Sequence, residues 1–171
     1  RALTLDVEFR EHWGGIFAAH PWLQGPWETY LGFSSKGGGA LGEHSHALNL
    51  WQYFARRLGL GRITQVQAKL DIIADDKVKY DRTSLLNLTT ETGFTGRCVQ
   101  DVVTIPSRKF ASIQGENGTL ALQLSPKQDL LTLSKPDLSE KVTSFTKSRP
   151  DDFIRELAHI ADCIQAGSEN S

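Results

Sequence analysis

Residues 62–134 consist largely of short runs in which apolar and polar residues alternate, separated by turn-forming residues. The first run, RITQVQAKLDII, covers residues 62–73. The later runs cover residues 84–92, 96–105, 108–114, 118–124 and 130–134. Alternation with a period of two turns one face of each strand toward a core. The sequence ENG before the run at 118–124 is a strong signal for a tight hairpin. The pattern therefore predicts an antiparallel meander.

Other segments predict one more strand and two helices. Residues 2–9 alternate and predict a strand with one buried face. Residues 40–58 carry apolar residues at helical spacing and predict the main helix, which glycines then end, and residues 150–166 predict a second helix. Residues 10–36 are irregular and aromatic, as is typical of a long loop that binds or covers something. Together they predict an α+β fold, with a mostly antiparallel open sheet and helices on one face.

The composition excludes several classes of protein. The 171 residues suit one domain, and their 19 basic and 20 acidic side chains nearly balance. A balanced chain without a basic run is not expected to bind nucleic acid or a membrane surface. No apolar run approaches the length of a membrane helix. The two cysteines, Cys98 and Cys163, lie far apart in sequence, so we expect reduced thiols and a cytoplasmic protein.

The ends of the chain predict that it belongs to a longer or processed polypeptide. The sequence begins with Arg1 directly before a strand pattern, and it contains no methionine. We therefore expect residues 1–171 to form a single domain of a larger protein.

The segment GGGALGEHSHALNLW, residues 37–51, carries the candidate chemistry. On a helix, His44 and His46 point about 200° apart, so they do not chelate one ion, and we expect no metal site. Glu43, His46 and Asn49 are spaced three residues apart and share one side of the predicted helix. A carboxylate beside an imidazole can orient it for general acid/base catalysis. The alternative is that Glu43 is a first-turn acid and that His46 is a partly buried helix residue. His44 is expected to face the other way and to pack toward the sheet or the loop.

Four motifs together resemble the C-terminal domain of the Gfo/Idh/MocA family of NAD(P)-dependent oxidoreductases. GGGALGEHSHALNLW is similar to the family's glycine run followed by an acid, a histidine and a polar residue. PWETY (26–30) resembles an element of members that act on substrates like sugar nucleotides. SIQGENGTLAL (112–122) resembles a family hairpin, and DDFIRELAHIADCIQAG (151–167) resembles the closing helix. The motifs occur in the family's order and cover nearly the whole chain.

The resemblance implies roles for three residues of the glycine-rich segment. His46 would be the catalytic acid/base that exchanges a proton with a substrate hydroxyl as hydride moves to or from the nicotinamide. Glu43, where the family commonly has Asp, would orient His46. Asn49, where the family frequently has Asp, would contact a substrate hydroxyl.

The resemblance also implies substrate contacts from the aromatic loop. Trp27 and Tyr30 would stack on a sugar ring or bind one of its hydroxyls, and Lys36 would reach a substrate anion. The alternatives are that the tryptophans pin the loop to the sheet and that Lys36 is a solvated surface residue.

The family's architecture implies that this chain, 1–171, is the substrate-binding and oligomerisation half of a two-domain enzyme. An N-terminal Rossmann domain, absent from this chain, would hold NAD or NADP, and the second domain would have a fold like the C-terminal domain of glyceraldehyde-3-phosphate dehydrogenase. The sheet's polar second face would form a homodimer or homotetramer. The expected substrate is a sugar, sugar nucleotide or polyol, and the fragment alone is expected to be inactive. The alternatives are a non-catalytic carbohydrate-binding or assembly module and an unrelated hydrolase, which would lack a nucleophile motif such as G-x-S-x-G.

Overall fold

The computed structural model describes residues 1–137, 139–148 and 150–167. Within these residues, eight strands form an open sheet. The strands are β1 (Ala2–Arg10), β2 (Ile63–Ala74), β3 (Lys79–Thr90), β4 (Thr95–Asp101), β5 (Arg108–Gly115), β6 (Gly118–Leu124), β7 (Gln128–Ser134) and β8 (Glu140–Thr146). The helices are α1 (Gly14–Ala19), α2 (Gly39–Glu43), α3 (His46–Arg57) and α4 (Asp151–Gln165), with short 3₁₀ turns at Pro26–Glu28, Tyr30–Gly32 and Ser34–Lys36.

The strand order is β2-β3-β4-β1-β5-β6-β7-β8. All neighbouring strands are antiparallel except β1 and β4, which are parallel. The predicted α+β class with a mostly antiparallel open sheet is therefore confirmed. The predicted hairpin is also confirmed, because Gly115 pairs with Gly118 across the turn between β5 and β6. The sheet differs from a simple meander because β1 lies between β4 and β5.

The core forms where α3 crosses the centre of the sheet. Leu5 and Val7 of β1 are fully buried, as the alternation predicts. Ala47 and Ala55 have small side chains and flank Trp51, so the helix backbone approaches the sheet closely. The indole Nε1–H of Trp51 donates to the carbonyl of Leu5 at 3.0 Å, which pairs this buried donor. This contact fixes the position of α3, and with it the start of that helix, relative to β1.

The predicted single helix over 40–58 is wrong. Two helices occupy this segment, and α2 ends at Glu43 before α3 begins at His46. The amide of His44 still donates to the carbonyl of Ala40, four residues earlier, but the amide of Ser45 donates to the carbonyl of Gly42, only three residues earlier. The chain therefore turns at residues 44–45, and the apolar positions of the two helices face the sheet separately.

The aromatic loop is partly ordered by its tryptophans. Trp13 is buried and packs against Tyr80 of β3 with a ring separation of 5.0 Å, so it pins the loop to the sheet. Trp22 is largely exposed and has no such role. The loop also contains α1, which the sequence pattern does not predict.

The second face of the sheet is exposed and mainly polar. Gln67 of β2, Asn87 of β3 and Arg97 of β4 lie side by side in register on this face. Arg97 extends the row by binding Asp6 of β1 at 2.8 Å. Cys98 is a buried thiol, and burial raises its pKa to about 12. No helix in the described ranges has the length and apolar character needed to cross a membrane.

Candidate functional site

The glycine run at 37–39 is packed tightly against the preceding turns. A methyl group at Gly38 would overlap the carbonyl oxygens of Tyr30 and Leu31, and one at Gly42 would overlap the carbonyl oxygen of Gly37. Gly39 has a φ of 84°, a left-handed conformation that favours glycine. Packing therefore requires glycine at 38, 39 and 42, whereas Gly37 is exposed with no crowding and is favoured by its own φ of 85°.

Asp81 of β3 fastens this packed turn to the sheet. Its carboxylate is buried and accepts the backbone N–H of Leu41 at 2.7 Å and the hydroxyl of Ser34 at 3.3 Å. A methyl group at Gly39 would overlap this carboxylate. A carboxylate beside the first turn of a helix satisfies a free N–H and complements the helix dipole. Asp81 thus holds the start of α2 in place.

Glu43 is paired with Tyr30. The Tyr30 hydroxyl donates to Oε2 of Glu43 at 2.7 Å, joining the 3₁₀ turn to the end of α2. This hydrogen bond raises the pKa of Tyr30, and partial burial and the negative charge of Glu43 act in the same direction. The two predicted site residues are therefore brought together, with Tyr30 held in its neutral, proton-donating form.

We expect Glu43→Gln to lower the pKa of Tyr30 toward its ordinary value, because the substitution removes the carboxylate that stabilises the neutral phenol. Ultraviolet titration of tyrosinate measures this shift, with Tyr30→Phe identifying the contribution of Tyr30. Glu28→Gln is the matched control, since Glu28 accepts a bond from the amide of Gln24 instead of from Tyr30. An unchanged titration in Glu43→Gln would contradict the pairing.

His46 and Asn49 are exposed on the first turns of α3, and their spacing places them on the same side of that helix. The side chain of His46 has no hydrogen bond or ion pair with any described residue, so its imidazole is open to an incoming group. Glu43 belongs to the other helix and bonds to Tyr30, whereas the sequence predicts that it orients His46. The three residues therefore form a polar surface at the junction of α2 and α3, without a shared helix face.

Trp27 and Lys36 lie on the loop side of this junction. Trp27 is partly exposed, with the ammonium of Lys77 5.4 Å from its ring centroid. Lys36 is exposed and lies 4.4 Å from the ring centroid of Phe33. The indole of Trp27 is 41% exposed and lies against Gly25 and Lys77, while Lys36 is a surface cation.

His44 packs inside the protein, as the sequence predicts. It is buried, and its Nδ1 lies 3.6 Å from Oε2 of Glu11, which also binds Nζ of Lys109 at 3.1 Å. Burial lowers the pKa of His44, and the nearby charges of Glu11 and Glu43 oppose this only in part, so the imidazole is neutral near pH 7. No described residue binds its buried Nε2. Sequence patterns gave no signal for this cluster because Glu11 and Lys109 are far apart along the chain.

The described residues contain no group of three or more His, Cys, Asp or Glu side chains arranged to hold a metal ion. No family model matches the sequence, and no curated protein matches it.

Solved structures with a similar fold are oxidoreductases. One, from Agrobacterium radiobacter, was solved with NAD+, L-tartaric acid and magnesium, and it matches at 20% identity and a TM-score of 0.67 over 100% of this chain and 49% of its own. KijD10, a 3-ketoreductase from Actinomadura kijaniata solved with NADP and TDP-benzene, matches at 15% identity and a TM-score of 0.63 over 98% of this chain and 47% of its own. An NAD binding oxidoreductase from Klebsiella pneumoniae matches at 18% identity and a TM-score of 0.59 over 85% of this chain and 39% of its own.

This chain spans about half the length of those proteins or less. At these identities the similarity establishes the fold, which corresponds to part of a larger oxidoreductase in each case.

Proposed function

We propose that residues 1–171 are the substrate-binding and oligomerisation half of an NAD(P)-dependent oxidoreductase of the Gfo/Idh/MocA type. Its substrate would be a sugar, sugar nucleotide or polyol. The observation that carries the proposal is the exposed imidazole of His46 at the α2–α3 junction, beside the Tyr30–Glu43 pair, on a fold found in oxidoreductases. An imidazole changes protonation near neutral pH, which suits a group that exchanges a proton with a hydroxyl.

The glycine run of this chain does not fit a dinucleotide phosphate. The N–H of Gly37 donates to the carbonyl of Ser34 at 3.1 Å, and the N–H of Gly38 donates to that of Phe33 at 3.0 Å. A phosphate-binding loop needs backbone N–H groups that point at the ligand, whereas these two are bonded within the chain. We therefore assign NAD or NADP, whose nicotinamide gives or takes the hydride when bound, to a separate Rossmann domain of the complete polypeptide.

The residues of this chain would hold the substrate and handle its proton. His46 would take the proton of the reacting hydroxyl during oxidation and return it during reduction. Asn49, on the same side of α3, would bind a neighbouring hydroxyl and so align the reacting carbon. Trp27 would stack on the apolar face of a sugar ring, while Tyr30 would donate or accept a hydrogen bond at its hydroxyls. Lys36 would meet an anionic group where the substrate carries one.

We further propose that two copies assemble through the exposed second face of the sheet. The row formed by Gln67, Asn87, Arg97 and Asp6 offers both hydrogen-bond donors and acceptors across four neighbouring strands. Such a row is suited to a symmetric contact in which each copy presents the same surface.

Turnover of the complete polypeptide that carries residues 1–171 tests the proposed activity. We expect reduction of NAD or NADP to depend on a sugar or polyol from a panel of neutral and nucleotide-linked compounds. We expect residues 1–171 alone to bind neither nucleotide measurably. Carbohydrate binding by the complete polypeptide without any hydride transfer would contradict the proposal and favour a non-catalytic binding module.

A further inference from the structure

An open cleft of about 720 Å³ lies beside the His44–Glu11–Lys109 cluster. We call it the paired-charge cleft. Its charged lining residues are Glu11, Lys109, Lys147 and Asp152. Glu11 directly follows β1, and Lys109 on β5 is in register with Phe9 of β1, so the sheet itself brings the first two together. The cleft therefore has a defined wall at the end of the central strand.

Each ammonium group in the cleft is neutralised by a carboxylate of this chain. Lys109 Nζ lies 3.1 Å from Oε2 of Glu11. Lys147 Nζ lies 3.0 Å from Asp129 and 3.7 Å from Asp152. The side chains of Glu11 and Lys109 remain about one-third exposed, at 32% and 36%, so a ligand can still reach them. The lining thus presents charged groups with no net charge of its own.

Glu11 is held in this position from two directions. Its backbone N–H donates to the carbonyl of Asp101 at 3.0 Å, which fixes the chain at the end of β1. Its carboxylate also lies against the buried ring of His44, whose Nδ1 is 3.6 Å from Oε2 of Glu11. Because that imidazole is neutral near pH 7, it adds no charge to the pair.

The rest of the lining combines neutral polar and apolar groups. Ser107 and Gln123 supply a hydroxyl and an amide, while Phe9, Leu124 and Pro126 supply apolar surface. The hydroxyls of Ser125 and Ser148 also line the cleft but already donate to Gln128 and Asp151. Hydroxyl-bearing compounds offer donors and acceptors that match such groups without any change in net charge. A ligand carboxylate that approached Lys109 would instead meet the carboxylate of Glu11, already bound there, and like charges at this range repel.

We propose that the paired-charge cleft binds the uncharged, polyhydroxylated part of the substrate, and that Glu11 is the specificity residue that rejects ligands bearing a carboxylate there. The identification of the ligand as substrate rests on the proposed oxidoreductase function. Binding itself needs no nicotinamide, so it can be measured independently of turnover.

Glucitol and gluconate are matched probes, because both have six carbons and several hydroxyls but only gluconate is charged. Titration of the protein with each compound, followed by NMR, measures the two Kd values. We expect the wild type to bind glucitol about tenfold more tightly than gluconate, and we expect Glu11→Gln to remove that preference by tightening gluconate binding about tenfold. Lys109→Gln is expected to weaken gluconate binding further while leaving glucitol binding within about twofold.

Glu140→Gln makes the same chemical change on the exposed strand β8 and serves as the control, with the wild-type preference expected. Unchanged gluconate binding in Glu11→Gln would overturn the proposal, as would the absence of saturable glucitol binding to the wild type. If the complete polypeptide shows turnover but neither the glucitol preference nor its loss in Glu11→Gln, the proposed binding in the cleft is rejected and the oxidoreductase assignment stands. The expected binding pattern without turnover would reject the oxidoreductase assignment and leave the cleft as a carbohydrate site.

Discussion

Replacement of His46 by alanine in the complete polypeptide is expected, on the proposed function, to lower kcat by about 10²–10⁴-fold, the usual contribution of a positioned general acid or base. The fold should be unaffected, because the His46 side chain is exposed and contacts no described residue through a hydrogen bond or ion pair. Steady-state kinetics measures the loss, and a thermal melt checks the fold. We expect KM to change much less than kcat, since the proton is exchanged in the transition state.

His159→Ala is the matched control for this experiment, because it removes an imidazole from an exposed position on α4. It should leave kcat within about twofold of the wild type, as expected for a group outside the proton transfer. A His46→Ala enzyme with wild-type kcat would remove His46 from the proposed chemistry. The remaining imidazole of this segment, on His44, is buried beside Glu11, so its loss should act through stability.

The strands could be predicted from the sequence because burial on one face leaves an alternating pattern. β3 shows this clearly, with Leu86 and Leu88 buried and Asn87 between them exposed. β8 could not be found in this way, since both of its faces are exposed and no apolar face distinguishes it. The insertion of β1 between β4 and β5 also escapes sequence patterns, because alternation reports burial and carries no information about the neighbouring strand.

The candidate site could be predicted only where its residues are close in sequence. The glycine run and His46 lie in one short segment, and Tyr30 lies just before it. Asp81 and Lys109 reach the same region from β3 and β5, and only the paired sheet brings them there. The sequence pattern does not reveal the turn at 44–45 either. Glu43 and His46 keep helical spacing in the sequence, although the backbone between them leaves the helix.

Replacement of Gly38 by alanine is expected to destabilise the protein by about 3 kcal/mol, the upper part of the range for overpacking a buried position. Gly38 is buried, and the new methyl group would overlap two backbone carbonyl oxygens, those of Tyr30 and Leu31. Backbone atoms cannot rotate away as a flexible side chain would, so the 3₁₀ turn must move. For a chain of this length, the loss corresponds to a decrease of roughly 6–12 °C in Tm, which calorimetry can measure.

Gly15→Ala provides the control, because no atom lies within 4 Å of the added methyl group and Gly15 is exposed in α1. Alanine favours a helix over glycine by about 0.5–1 kcal/mol, so this variant should be as stable as the wild type or slightly more stable. The pair of variants separates two uses of the glycine run. If the glycines serve packing, Gly38→Ala lowers Tm; if they only admit substrate, it raises KM at an unchanged Tm. The overlap with the Tyr30 carbonyl predicts the first result, and it also predicts that the Tyr30–Glu43 hydrogen bond weakens along with the fold.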